Sequence, residues 1–114
     1  MNKIIKKSLD APDETRPIPK GKLDVVRLGN IEVTRQTFEP GFRWSESMRS
    51  IAKTDTCQIH HLMYIVSGRL AVRLNDGSTA EFGPGDVADI PSGHDSWVVG
   101  DVPCVNVDFG NAIY

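Results

Sequence analysis

The chain has 114 residues, 39% hydrophobic and 25% charged, with a formal net charge of −2. That length suits one domain with a core of its own, without metal or disulfide staples. The charge balance gives no basis for a nucleic-acid or acidic-membrane partner, and no segment approaches the roughly 20 apolar residues of a membrane span.

Residues 1–22 are rich in lysine, proline and aspartate. They read as an N-terminal arm, with Lys3, Lys6 and Lys7 solvated and room for one early strand at a sheet edge. The arm has no apolar run of signal-peptide length. The expected location is therefore the cytoplasm, where Cys57 and Cys104 stay as thiols.

From Leu23 onward the pattern turns to short β-branched runs. LDVVRLG and IEVTRQTF flank a Gly29-Asn30 turn. Residues 44–56, WSESMRSIAKTDT, are polar without a clear period and read as a long loop holding at most one helical turn. QIHHLMYIVSG and LAVRLN come next, and Asp76-Gly77 marks a hairpin. TAEFG, DVADI, SWVVG and CVNVDF complete the series, each bounded by glycine or proline. Eight or nine short strands with almost no helical pattern make the chain all-β, a sandwich or barrel. The barrel is expected over 23–109, with a tail at 110–114.

Two stretches carry a resemblance. From Gly85, five residues lead to Pro91-Ser92-Gly93, and Tyr64–Gly68 reads YIVSG. This glycine and proline framework resembles the cupin family over residues 36–109. The resemblance implies a double-stranded β-helix, the jelly-roll barrel. It also implies a pocket at the barrel mouth, a small-molecule ligand and a homodimer.

The family's metal ligands, three histidines and a glutamate, are not reproduced. Counting back from Gly68, the glutamate position falls on His61 and the histidine positions on Asp55 and Cys57. Counting forward from Gly41, the histidine positions fall on Ser47 and Arg49. In the second motif the histidine position falls on Ser96, two residues after His94.

Neighbours on a strand face opposite ways, so His60 and His61 cannot both point inward. The register carried over from the motif turns His61 inward with Met63 and Ile65, and His94 to the same side as Ser96. Cys57 lies four residues before His61, about 13 Å along a straight strand, so it shares an ion with His61 only across a bend. Cys57, His61 and His94 are the candidate metal ligands. Their mixed sulfur and nitrogen donors favour zinc over iron. The same three residues also fit plain packing without an ion.

Trp44, Ser47, Arg73 and Ser96 are the candidate ligand-binding residues: Trp44 as an aromatic wall, Ser47 and Ser96 from the motif positions, Arg73 as a carboxylate clamp if it points inward. Trp97 is expected on the outer side of the wall, where the resemblance implies cover by the second sheet of a dimer or by the N-terminal arm. No nucleophile elbow, phosphate loop or dinucleotide fingerprint occurs. The expected function is a small-molecule-binding or sensing barrel with one divalent metal at most. The alternatives are a metal-dependent enzyme and a dimerisation module.

Overall fold

A computed structural model describes residues 3–109; the tail expected at 110–114 lies outside the described residues. Nine strands run in chain order: β1 Glu14–Ile18, β2 Gly21–Leu28, β3 Ile31–Phe38, β4 His61–Ser67, β5 Leu70–Leu74, β6 Thr79–Phe82, β7 Val87–Ile90, β8 His94–Val98 and β9 Cys104–Asp108. They form a six-stranded sheet ordered β1-β2-β3-β9-β4-β7 and a three-stranded sheet ordered β6-β5-β8. Every pairing is antiparallel. The sheets face each other across an apolar core that includes Phe38, Phe42, Ile65, Leu70, Val72 and Ile90. β1 lies within the segment read as an arm and forms one edge of the large sheet.

Turn chemistry sets the strand boundaries. At Asp76-Gly77 the aspartate side chain accepts hydrogen bonds from the backbone and hydroxyl of Ser78, closing the β5–β6 hairpin. Gly68 joins β4 to β5 and so carries the chain from one sheet to the other. Its φ is +74°, and a Cβ there would sit 2.2 Å from the carbonyl oxygen of Pro103. Only glycine fits both the left-handed backbone and so close an approach.

The segment read as a loop folds into two single turns, α1 Trp44–Ser47 and α2 Arg49–Ala52. The cap for α1 comes from across the barrel wall. Buried Asp95 on β8 accepts hydrogen bonds from the Ser45 amide and hydroxyl, each at 2.9 Å, and from Arg43 at 3.3 Å. A carboxylate at a helix start satisfies amide donors that have no partner within the helix. Trp97 is half-buried on the outer side of β8, with the Arg43 guanidinium 4.4 Å from its ring centre. Its cover is therefore a cation from the same chain.

The strand read from Gln58 begins only at His61. Cys57 instead forms an isolated bridge with His94, exchanging backbone hydrogen bonds at 2.8 and 3.2 Å. Residues 58–60 then carry the chain across to the large sheet. This crossing is the bend that a shared site for Cys57 and His61 requires. β9 also departs from a simple reading: Cys104, Asn106 and Asp108 are buried, whereas Val105 and Val107 are only half-buried. In CVNVD the polar residues, not the valines, face inward. No helix among the described residues is long and apolar enough to cross a membrane.

Candidate metal and ligand site

Three chain segments converge at one end of the core. β4 contributes His61, β8 contributes His94, and the bridge segment contributes Cys57. All three are buried, and their ligand atoms lie within 4.8 Å of one another. The two imidazoles meet edge to face, with ring centres 5.2 Å apart and planes at 65°. The Cys57 sulfur is 3.5 Å from His61 Nε2.

The Pro91-Ser92-Gly93 corner aims His94. Gly93 has φ +86° and its amide donates to the Cys57 carbonyl at 2.7 Å. A Cβ on Gly93 would meet the Asn75 side-chain amide at 2.8 Å. The corner also orients the ring it introduces, because His94 Nδ1 donates to the Pro91 carbonyl at 2.8 Å. That bond leaves His94 Nε2 as the ring nitrogen free to act as a ligand.

His61 is held in the same manner by a different group. Its Nδ1 bonds Asp108 Oδ2 on neighbouring β9 at 2.5 Å. Gln36 on β3 approaches the same carboxylate oxygen at 3.5 Å. Both histidines thus have Nδ1 tied to an oxygen, as metal-ligating histidines commonly do.

Electrostatics follow from this packing. Burial alone would push the Cys57 thiol up, but hydrogen bonds from His61 and His94 and the backbone of Ile59 outweigh it and bring it down to about 6. Burial would likewise push His61 down, yet Asp108 and Cys57 raise it to about 9. The pair is thus biased toward thiolate and imidazolium, and a cation entering the site would displace the proton between them. At Cys104 burial dominates over a hydrogen bond with Asn106 and pushes the thiol up to about 11.

The donor set fits zinc. A tetrahedral zinc with bonds of about 2.0–2.3 Å holds its ligand atoms about 3.5 Å apart. That matches the separation between Cys57 and His61. The order carboxylate, imidazole, thiol is also one that activates a cysteine nucleophile, and no local sequence motif announces it.

The three residues form part of the lining of a cavity of about 110 Å³. Trp44 and Ser96 line it as well. Ser47 is buried on α1 but is not among its lining residues. Arg73 is exposed and lies on a separate surface cleft with Arg49 and Asp55. Strand alternation explains this placement: Leu70 and Val72 of β5 face the cavity, which turns Arg73 outward. His60, next to His61, is half-buried on the other side and bonds Asp89 of β7.

Asp108 is the site residue that sequence reasoning misses. The signal available is the period-two run Cys104, Asn106, Asp108, whose inward direction only the strand order reveals.

No protein-family model matches the sequence, and no curated protein matches it. Solved structures do match in shape. A protein of unknown function from Rhizobium leguminosarum bv. viciae superimposes with a TM-score of 0.70 at 22% identity, covering 96% of this chain and 97% of that one. Coconut allergen cocosin matches at TM-score 0.62 and 20% identity, over 88% of this chain and 31% of its own. Oxalate decarboxylase from Lactobacillus farciminis, in a formate complex, matches at 0.59 and 21%, over 89% of this chain and 32% of its own. The chain spans about a third of the length of these last two proteins. Two antiparallel sheets of nine strands and these neighbours together establish that the chain folds as a cupin-type β-barrel.

Proposed function

We propose that the barrel binds a small molecule beside one divalent metal ion, zinc in preference to iron, held by Cys57, His61 and His94. The observation that carries this reading is the double anchoring of the rings. Asp108 and the Pro91 carbonyl each take an Nδ1, while His61 Nε2 stands against the Cys57 sulfur. An activated thiol alone would need only Cys57, His61 and Asp108. The convergence of His94 on the same point favours a metal.

Three protein ligands leave one position of a tetrahedral ion open. The adjoining cavity, lined in part by Trp44 and Ser96, would supply the group that fills it. A divalent ion there supplies Lewis-acid chemistry, which supports the alternative of a metal-dependent enzyme acting on a small molecule. The chain's own residues would then fix the two rings, hold the sulfur as thiolate and keep the site apart from bulk water.

The cytoplasm is the proposed location, supported by two buried free thiols. A second copy is the proposed macromolecular partner. It is supported by apolar Tyr64, Val66 and Val87, exposed together on the outer side of β4 and β7. Sedimentation velocity checks it: a dimer is expected, and a monomer at high concentration would refute it.

Elemental analysis and calorimetry test the metal reading. Metal-stripped protein should take up one equivalent of zinc, and His94→Ala should weaken uptake at least about tenfold while remaining folded. Equal zinc uptake by wild type and variant would refute it.

A further inference from the structure

The cavity beside the three ligands has an unusual balance of chemistry. Its walls include Phe38, Phe42, Trp44, Met48, Val72 and Ile90, all apolar. Among the described residues that line it, none is lysine, arginine, aspartate or glutamate. The polar lining outside Cys57, His61 and His94 consists of Gln36 and Ser96. Gln36 turns its side-chain N–H toward Asp108, which leaves the Gln36 carbonyl oxygen and the Ser96 hydroxyl as the neutral polar groups facing an occupant.

Such a surface is poor at holding a carboxylate, a phosphate or a polyol. A buried anion needs a paired cation and each buried hydroxyl a hydrogen-bond partner, and the positive charge at the ligand end already faces the Cys57 thiolate and the Asp108 carboxylate. Arg73, the cation that could clamp a carboxylate, faces outward. Size narrows the class further. A cavity of about 150 Å³ lined by aliphatic and aromatic side chains holds benzene. At about 110 Å³ this cavity is smaller still, which limits an occupant to one small ring or a short branched chain.

We infer that the pocket takes a small uncharged molecule with one ring or one branched apolar body and a single donor atom. The apolar body packs against Phe42, Trp44 and Val72, and the donor turns toward Cys57, His61 and His94. Sugars, dicarboxylates and phosphorylated metabolites are rejected. This ligand class rests on the reading of the site as a binding pocket, and its donor direction rests on the metal reading.

Phenol serves as the probe, with malonate and glucose as counter-probes. Each is titrated calorimetrically into metal-free and cobalt(II)-loaded protein, and the visible cobalt spectrum is recorded in parallel. Phenol should bind both forms at least about tenfold more tightly than either counter-probe, and should shift the cobalt bands. Leu23→Lys, which places a cation on the half-buried wall, should lower phenol affinity and raise malonate affinity.

If cobalt fails to bind while phenol still outcompetes the counter-probes, the metal reading falls and the apolar ligand class stands. If cobalt binds but malonate or glucose matches phenol in wild type, the ligand class is overturned and the metal reading stands. Cobalt bands unmoved by bound phenol would overturn the donor direction.

Discussion

Asp108 and His61 come from neighbouring strands of the large sheet and meet inside the barrel, the carboxylate oxygen 2.5 Å from Nδ1. Each is buried, and neither suits the interior alone. Together they fix Nε2 as the ring nitrogen presented to Cys57. A carboxylate behind a ligating histidine typically changes metal affinity by about 10–100-fold when removed. Asp108→Asn should therefore weaken zinc binding within that range while leaving the circular dichroism spectrum unchanged. Unaltered zinc affinity would remove Asp108 from the site.

The two cysteines should differ in reactivity. Cys57 is drawn down to about 6 against burial by its histidine neighbours, whereas burial pushes Cys104 up to about 11 and its hydrogen bond with Asn106 only partly offsets this. The thiolate is the reactive form. Iodoacetamide at neutral pH should modify Cys57 first in metal-free protein, read by peptide mass spectrometry, and zinc should protect it. Preferential modification of Cys104, or no protection by zinc, would contradict this assignment.

Gly68 and Gly77 provide a matched pair. Both have positive φ, +74° and +89°, but a Cβ on Gly77 meets nothing within 4 Å, whereas one on Gly68 strikes the Pro103 carbonyl. Gly77→Ala should cost about 1 kcal/mol from backbone strain alone. Gly68→Ala should cost at least about 2 kcal/mol more, because backbone must shift. Urea denaturation of both variants measures the difference. Similar midpoints would show that Gly68 is not the tight crossing between sheets that the geometry implies.

The β1–β2 hairpin should loosen in acid. Glu14 is held down to about 2 by hydrogen bonds from Arg16 and Arg27. Asp24 is buried, which would raise it, yet Thr15, Arg35 and Lys22 keep it below the usual carboxylate value. A depressed folded pKa stabilises above the unfolded value, and that stability fades as pH falls through the folded one. Hydrogen exchange of residues 14–28 should therefore accelerate relative to β4 and β9 between about pH 4.5 and pH 2. Added salt should blunt the effect of Glu14, whose partners are exposed. Uniform loss of protection across the barrel would count against a local role for these carboxylates.

The architecture was legible because it rests on local signals. Asp76-Gly77 and Pro91-x-Gly93 force turns whatever surrounds them, and the runs between them have strand composition. The inward direction of His61 came from the register that the cupin resemblance implies, and Met63 and Ile65 are buried with it. What could not be read depends on the large sheet's strand order. Asp108 lies 47 residues from His61, and nothing in VNVDF says that its polar face looks inward. Likewise, residues 58–60 resemble strand by composition. The bridge from Cys57 to His94 stops the strand short, and a cross-chain hydrogen bond leaves no local trace. Arg73 was ambiguous for a related reason, since only the facing of Leu70 and Val72 settles its side.

The central claim is that one ion joins Cys57, His61 and His94. Cobalt(II) titration of metal-stripped protein tests it most directly, because a thiolate on cobalt gives a near-ultraviolet charge-transfer band and a four-coordinate ion gives intense visible bands. The account predicts both features, saturating at one equivalent, with the charge-transfer band gone in Cys57→Ser. A folded wild-type protein lacking that band, or a Cys57→Ser variant retaining it, would contradict the account.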